Sequence, residues 1–105
     1  MDDKAPLTEG VYYILLALYE PRHGYGIMQY VSELSKGRVH LGPGTVYGAI
    51  KSLLKRNWIA PLQGEGRKKE YVITEEGKRA VEAEIARLSE LYHNGLLITG
   101  GGNKQ

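Results

Sequence analysis

The side chains that could do chemistry in this sequence are basic, and most of them lie in the middle of the chain. Residues 21–73 hold nine Lys and Arg side chains against three acidic ones, whereas residues 1–20 and 74–105 are both net negative. The formal charge of the whole chain is only +2, so the positive field is local. Such a field suits binding to the phosphates of a nucleic acid. An ordinary solvated surface is the alternative.

The central part of this basic region predicts an amphipathic helix over residues 43–57. Its apolar positions recur at helical spacing and form a stripe for burial, namely Val46, Ile50, Leu53 and Leu54. The opposite face is small at its start and basic towards its end, and consists of Gly44, Gly48, Lys51, Ser52 and Lys55. An exposed Gly48 costs roughly 1 kcal/mol of helix stability, but bare backbone lets another surface approach closely. We expect that surface to be a DNA major groove; an ordinary amphipathic surface helix is the alternative.

A second basic group follows at a predicted β-hairpin. Two extended runs flank a glycine-rich turn at residues 64–66, and the outgoing run begins with Arg67, Lys68 and Lys69. Pro61 in the incoming run suits an edge strand. The three successive cations either contact nucleic acid or protect a sheet edge from aggregation.

Residue types for bond-making chemistry are missing. The chain contains no cysteine, which excludes zinc–thiolate sites, and His23, His40 and His93 are too far apart in sequence for a metal site. The turn at residues 64–66 is too short for a phosphate-binding loop. We therefore predict no enzyme, no cofactor and no metal site, and we expect His23 to serve a turn or packing role. Since no apolar run reaches membrane length, we expect a soluble protein without a membrane partner.

Two helices precede this region and a long one follows it. Thr8 can cap the first helix, which has one apolar stripe for the core and a second formed by Tyr12, Leu16 and Tyr19. Residues 23–26 form a turn into the second helix, and residues 38–41 are predicted as a minor strand. Thr74 caps the last helix, whose acidic side chains we expect on a solvated face. That helix carries an apolar seam at coiled-coil spacing, formed by Val81, Ile85, Leu88 and Tyr92.

This length predicts one domain spanning residues 1–105. We divide it into a core over residues 1–73, a dimerisation helix over residues 74–99 and a disordered tail over residues 100–105. Because 42% hydrophobic residues allow only a small core, we expect a second copy of the chain to cover the seam and the second stripe. The predicted fold is mainly α with a small β-hairpin: a winged helix-turn-helix, whose third helix and wing bind DNA, plus a long C-terminal dimerisation helix.

Four stretches of the sequence resemble the PadR-type transcriptional regulators. They are Thr8-Glu9 through Leu18, His23-Gly24-Tyr25-Gly26, Gly44-Thr45-Val46-Tyr47 with Leu53, and Arg67-Lys68-Lys69-Glu70-Tyr71-Val72-Ile73-Thr74-Glu75-Glu76-Gly77. The last of these is the most specific. The resemblance covers residues 7–92 and implies a cytoplasmic homodimeric repressor of the short, single-domain branch. Such a repressor binds double-stranded DNA at an inverted-repeat operator and is often released by a small molecule.

Position by position, the resemblance implies DNA contacts on the third helix and on the wing, at Gly44, Thr45, Tyr47, Gly48, Lys51, Ser52, Arg67, Lys68 and Lys69. Tyr25 either reaches a phosphate or packs in the core, and Tyr47 either contacts DNA or is mainly structural. Lysine contacts to phosphates fix register, whereas Thr45 and the backbone near the glycines are better placed for base edges. Because the exposed face carries no Arg, Asn or Gln for bidentate base contacts, we expect operator shape to contribute to recognition.

The resemblance also implies a small aromatic effector. In the drug-binding branch of the family a flat aromatic compound lies at the dimer centre against a tryptophan of the last helix, and Leu88 is the matching position here. Tyr12, Leu88 and Tyr92 either line such a pocket or pack in the interface. Two other functions stand as alternatives to a DNA-binding repressor: a protein-interaction module, and a small-molecule sensor without sequence-specific DNA binding.

Overall fold

The computed structural model describes residues 5–101 of the chain. Its elements follow in the order α1 Glu9–Ala17, β1 Arg22–His23, α2 Gly24–Leu34, α3 Pro43–Lys55, β2 Ile59–Pro61, β3 Glu70–Ile73 and α4 Glu75–Thr99. A 3-10 turn over Gly66–Lys68, which we call the wing turn, lies between β2 and β3. This order confirms the predicted winged helix-turn-helix with a long C-terminal helix. Residues 1–4 of the predicted core and residues 102–105 of the predicted tail lie outside the described range.

Side chains fix where three of the helices within residues 5–101 begin. Thr8 caps α1 and Thr74 caps α4, each by accepting a hydrogen bond from a backbone amide. His23 caps α2, because its Nδ1 accepts the hydrogen of the Gly26 amide at 3.0 Å. The predicted turn at residues 23–26 is therefore the first turn of α2, and His23 has the turn role expected of it.

The three strands described in residues 5–101 form an antiparallel sheet in the order β1-β3-β2. The predicted hairpin is present as β2 and β3, with Pro61 on the edge strand β2. The minor strand predicted over residues 38–41 is wrong, because the second side of β3 pairs with β1 instead. Residues 38–41 follow a turn held by Ser35, whose hydroxyl accepts the Val39 amide hydrogen at 2.9 Å.

The helix predicted over residues 43–57 ends two residues earlier, at Lys55. Asn57 takes a left-handed φ of 61°, which a regular helix cannot continue. The Trp58 amide then donates to the Leu53 carbonyl at 3.1 Å, so the last turn closes on itself. This ending points the chain from α3 directly into β2.

The wing is more tightly folded than predicted, because Arg67 and Lys68 lie in the wing turn and not in an extended run. Gly64 makes this turn possible. Its φ is +99°, and a Cβ at this position would lie 2.2 Å from the Lys68 carbonyl oxygen. The basic residues are therefore gathered at the tip of the hairpin.

A hydrophobic core is formed by all four helices and the sheet of the described residues. The core stripes predicted for α1 and α3 point into it, and burying each of their large apolar side chains contributes about 1.5–3 kcal/mol. This burial fixes which face of α3 points outward. The largest fully buried side chains are Ile14, Leu15, Leu18, Ile27, Leu53, Val31, Val46 and Val81.

Trp58, Thr74 and Gly77 join α3, the sheet and α4. The Trp58 carbonyl accepts the Thr74 amide hydrogen at 2.9 Å, and the Thr74 hydroxyl donates to the Asn57 carbonyl at 2.7 Å. α4 passes so close that a Cβ at Gly77 would lie 2.2 Å from the Trp58 carbonyl oxygen. Only a glycine fits between the two backbones at this point.

Glu84 does not lie on the solvated face predicted for the acidic residues of α4. It is 4% exposed, accepts a hydrogen bond from Arg87 Nε at 3.1 Å, and accepts another from the Leu7 amide at 3.3 Å. The hydrogen bonds from Arg87 hold the pKa of Glu84 below its ordinary value, although burial alone would raise it. This carboxylate therefore ties the chain just before α1 to α4.

The part of the chain between residues 5 and 101 contains neither a membrane-spanning helix nor a cluster of metal-binding side chains. α4 is its longest helix, with 25 residues, and charged side chains recur along the first sixteen of them. No helix in this range is long and apolar enough to cross a bilayer. No group of three His, Asp or Glu side chains in the same range could hold a metal ion.

The substitution Glu84→Gln is expected to lower the free energy of unfolding by roughly 1.5–3 kcal/mol at neutral pH, because it removes charge-assisted hydrogen bonds. The folded-state pKa of Glu84 lies below its ordinary value of 4.5, so the stabilisation is complete above that pH and declines as the pH falls below it. The difference in unfolding free energy between the parent protein and the variant should therefore become smaller at acidic pH. Urea unfolding at a fixed protein concentration and several pH values measures it.

Glu82→Gln is the matched control, since Glu82 is exposed on the same helix. Its effect should stay within about 0.5 kcal/mol. A deficit of the Glu84→Gln variant that is equally large at pH 7 and at pH 3 would contradict the assignment.

Candidate nucleic-acid interface

The outward face of α3 consists of the residues predicted to meet DNA. All of them are exposed: Gly44, Thr45, Tyr47, Gly48, Lys51, Ser52 and Lys55. The opposite stripe is buried in the core, and Leu54 at its edge is partly buried. The helix is therefore divided as its periodicity predicts, with a small and then basic face left open.

The two glycines on this face have no packing role within the described chain. A Cβ added to Gly44 or to Gly48 would meet no other atom within 4 Å. Gly24 and Gly77, in contrast, lie against neighbouring groups that a side chain would strike. Since the fold itself does not require Gly44 and Gly48, their lack of side chains is a property of the outer surface.

The cations at α3 differ in how accessible they are to a partner. Lys51 and Lys55 are exposed on the outward face, one turn apart. Arg56 is exposed after the last helical residue, but its guanidinium stacks 3.9 Å from the centroid of the Trp58 ring. The outward face therefore presents two lysines to a partner, while Arg56 is held at the helix end.

The wing places Arg67 and Lys68 in the exposed wing turn, whereas Lys69 is partly buried. The wing turn contacts α2, so it lies on the side of the molecule that carries the helix-turn-helix. These cations do not lie on an edge strand, because the strand that they precede, β3, is the central strand of the sheet. Their position therefore does not support the alternative that they protect a sheet edge from aggregation.

A cleft of about 600 Å³ opens where α2, α3 and the wing turn meet. It brings together four residues predicted to bind DNA, and Tyr25 among them is 60% exposed and so is not packed in the core. Lys51, Ser52 and Lys55 lie farther along α3, outside the cleft. The residues that line the cleft are His23, Tyr25, Met28, Pro43, Tyr47, Arg67 and Lys68.

Tyr47 packs against the first residue of α2 and remains partly open to solvent. A Cβ at Gly24 would lie 2.4 Å from the Tyr47 hydroxyl oxygen. The side chain is nevertheless 38% exposed, and it lines the cleft. Tyr47 therefore joins α2 to α3 and also belongs to the surface, so it has the structural role considered for it, while its contact with DNA stays a prediction.

Sequence reasoning missed the uncharged part of this site. Met28 and Pro43 line the cleft but carry no charge, and His23 was assigned to the turn alone. Gly24 is buried beneath Tyr47, and the sequence gives no sign of this contact because the two residues lie on different helices. The capping position of His23 was the available signal, since a cap of α2 must lie beside Tyr25.

A second surface, formed by α1 and α4, carries the residues predicted for dimerisation. Ile85 is 48% exposed and Tyr92 is 71% exposed, and Leu91, which was not predicted, lies exposed beside them. Val81 differs, because it is buried in the core of its own chain and has no area left for a partner. From α1, Tyr12 and Leu16 are partly buried and Tyr19 is exposed. Leu88 is also exposed.

A smaller cavity of about 300 Å³ lies between the start of α1 and α4. Tyr12 and Leu88 line it, together with Glu84 and Arg87, whereas Tyr92 is not among its lining residues. Burial raises the pKa of Tyr12, and the charge of Glu84 adds to the shift, so its phenol is neutral at physiological pH. Two of the three residues predicted for an effector pocket therefore share one cavity.

Comparison with known proteins agrees with this architecture. The sequence model of the Transcriptional regulator PadR-like family matches residues 13–83. An uncharacterized 37.1 kDa protein in transposon TN4556 of Streptomyces fradiae is 38% identical over 80 aligned residues, which cover 72% of this chain and 23% of that protein. The chain thus spans less than a quarter of the length of this curated relative.

Two solved structures share the fold. PadR of Bacillus subtilis, determined in complex with operator DNA, is 27% identical with a TM-score of 0.61, over 73% of this chain and 46% of that one. RosR of H. salinarum is 21% identical with a TM-score of 0.68, over 94% of this chain and 96% of that one. From the family match and this winged fold we conclude that the chain belongs to the PadR-like family of transcriptional regulators.

Proposed function

We propose that this protein is a dimeric DNA-binding repressor that contacts duplex DNA through the outward face of α3 and the wing turn. The observation that carries the proposal is the pair Gly44 and Gly48. They leave two positions on the outward face of α3 without a side chain, although a Cβ at either position would meet no other atom of the described chain within 4 Å. A helix with such a gap can lie deep in a major groove. The relative from Bacillus, determined with operator DNA, supports the same use of the fold.

Charge supports this orientation of the protein on DNA. Lys51 and Lys55 on α3 and Arg67 and Lys68 on the wing turn are exposed on the proposed surface. Each cation can neutralise one backbone phosphate and release its counterions, which gives affinity without reading sequence.

Base recognition has fewer side chains available. Thr45 is exposed in the first turn of α3, beside the open backbone of Gly44 and Gly48, and can contact a thymine methyl group or a base edge. Arg56, the nearest side chain able to bind guanine with two hydrogen bonds, is stacked on Trp58. Sequence-dependent DNA shape therefore contributes to the preference of this protein.

The dimer follows from the apolar face of α4. Beyond Val81 this face continues outward with large apolar residues that are 39–71% exposed within residues 5–101, and an exposed apolar helix face of this kind is typical of an interaction surface. A second copy of the chain presents the same face, so two α4 helices can pair about a twofold axis. The residues concerned are Ile85, Leu88, Leu91 and Tyr92, with Tyr12, Leu16 and Tyr19 of α1 beside them.

Release by a small aromatic effector belongs to the same proposal. The 300 Å³ cavity between α1 and α4 is lined by two tyrosines and two leucines together with Glu9, Glu84 and Arg87, and lies next to the proposed dimer face. A flat compound bound there would contact both helices that form the dimer. Such contact could change the spacing of the two α3 helices and hence the affinity for an operator.

The function is tested by selecting duplexes from a random pool. We expect an inverted repeat, with half-site centres separated by about 34 Å or a multiple of this distance. Eight exposed cations per dimer predict that the logarithm of affinity falls against the logarithm of salt concentration with a slope of about −7. Arg67→Ala should reduce this slope by about 2 per dimer, whereas Arg79→Ala on α4 should leave it unchanged. Failure to enrich any duplex, or binding that is insensitive to salt, would exclude the proposal.

Gly48→Ala separates folding from DNA binding. It should stabilise the protein by up to about 1 kcal/mol, because alanine favours helix and the added Cβ meets nothing in the chain. The same methyl group should lower duplex affinity by about tenfold or more, a loss of at least 1.4 kcal/mol of binding free energy. Thermal unfolding and a duplex titration measure the two effects.

Gly10→Ala on α1 is the control for Gly48→Ala. Its added Cβ would lie at an ordinary 3.6 Å from Leu41 Cδ2, so it tests helix propensity away from the proposed surface. Duplex affinity should not change in this variant. Unchanged affinity of the Gly48→Ala variant would show that α3 does not lie in a groove.

Ile85→Glu tests the dimer. The charge should prevent burial of the α4 face against a second copy, so the mass in solution should fall from that of two chains to that of one. Ala86→Glu adds the same charge to an exposed position one residue along and should leave the dimer intact. Sedimentation velocity measures both variants. A parent protein with the mass of a single chain, or an Ile85→Glu variant that stays dimeric, would contradict this interface.

A further inference from the structure

The residues that line the cleft between α2, α3 and the wing turn suit a ligand in which an anion is attached to an apolar ring. Arg67 and Lys68 supply positive charge on one side, and none of the residues that line the cleft is acidic. Met28 and Pro43 provide an apolar surface on the other side. A phosphate needs the cations, whereas the C–H groups of a sugar ring suit the thioether and the pyrrolidine.

Three further groups in the cleft can donate hydrogen bonds to such an anion. Two are the phenol hydroxyls of Tyr25 and Tyr47. The third is His23, whose Nδ1 is occupied by the Gly26 amide hydrogen at 3.0 Å. The neutral imidazole must therefore carry its own proton on Nε2, where it acts as a donor.

The Tyr47 ring can occupy its position because the neighbouring Gly24 has a hydrogen atom where any other residue has a side chain. The Cβ of any side chain at Gly24 would lie 2.4 Å from the Tyr47 hydroxyl oxygen, 2.5 Å from its Cζ and 2.9 Å from its Cε1. These distances are far below contact separations, so a larger residue would push the outer half of the ring away. The φ of Gly24 lies outside the left-handed region, and close approach is therefore the reason for glycine at this position.

We propose that this cleft seats one phosphate of the DNA backbone with its deoxyribose, and that Gly24 is the positioning residue that lets the Tyr47 hydroxyl donate to that phosphate. The inference rests on the proposed DNA binding and assigns to the cleft one contact of that complex. We take the ligand to be DNA and not a free phosphate, because the cleft adjoins the outward face of α3 and the wing turn. Both of these face the duplex in the proposed complex.

The first test is a double-variant cycle on the duplex recovered by selection. Tyr47→Phe removes only the hydroxyl and should lower affinity by about tenfold or more, the effect of one hydrogen bond to a charged group. Gly24→Ala should lower it at least as much. In a Tyr47→Ala background, however, Gly24→Ala should have no further effect, because the ring that it displaces is gone. Gly10→Ala on α1, with an ordinary 3.6 Å contact to Leu41 and none to the cleft, is the matched control and should stay within about twofold.

The second test replaces the phosphates of the duplex one at a time by neutral methylphosphonates. At one position in each half-site, the loss caused by Tyr47→Phe should disappear, because the charged acceptor is already absent. This arm does not depend on whether the Gly24→Ala variant folds. Independent, multiplicative effects of Gly24→Ala and Tyr47→Ala, or an equal Tyr47→Phe loss on every modified duplex, would overturn the inference. Absence of any salt-dependent binding by the parent protein would instead reject the proposed function.

Discussion

The structure depends on a contact between two backbones, where the carbonyl of Trp58 meets the start of α4 at Gly77. The same carbonyl accepts the Thr74 amide hydrogen, so the exit of α3, the end of β3 and the first turn of α4 are held at one point. Because the contact joins main-chain atoms, it leaves little freedom to rotate one element against another. The surface formed by α3 and the wing turn is therefore fixed relative to the long helix.

Much of the fold could be predicted from the sequence, because local patterns and tertiary packing agree. The apolar spacing of α3 and α4, the caps Thr8 and Thr74, and the glycine-rich hairpin each indicate the element that is present. Two features could not be read locally. β1 has only two residues and shows no alternation, and the burial of Glu84 depends on the Leu7 amide, 77 positions away. Such features arise from contacts distant in sequence, which periodicity does not describe.

The candidate site was predictable where charge or the absence of a side chain marks it. The lysines and glycines of α3 and the basic wing are visible in the sequence and are brought to one side of the molecule. The apolar lining of the cleft was not predictable, because Met28 and Pro43 resemble ordinary packing residues. Val81 shows the opposite error, since the regular spacing of the α4 seam does not indicate where burial in the chain's own core ends and the exposed part begins.

Because α4 is long and is rigidly joined to α3 at Gly77, a small rotation of α4 would displace α3. About 20 Å of α4 lies between its first residue and Leu88 in the proposed dimer face, so a rotation of about 10° there moves the first turn by about 3 Å. If two α4 helices pair as proposed, a change in their crossing angle would move both α3 helices along a duplex, because α3 is fixed to the first turn of α4. A displacement of this size is close to the 3.4 Å rise of one base pair. In the proposed dimer, α4 would therefore act as a lever that converts a change of angle at the twofold axis into a change of register on DNA.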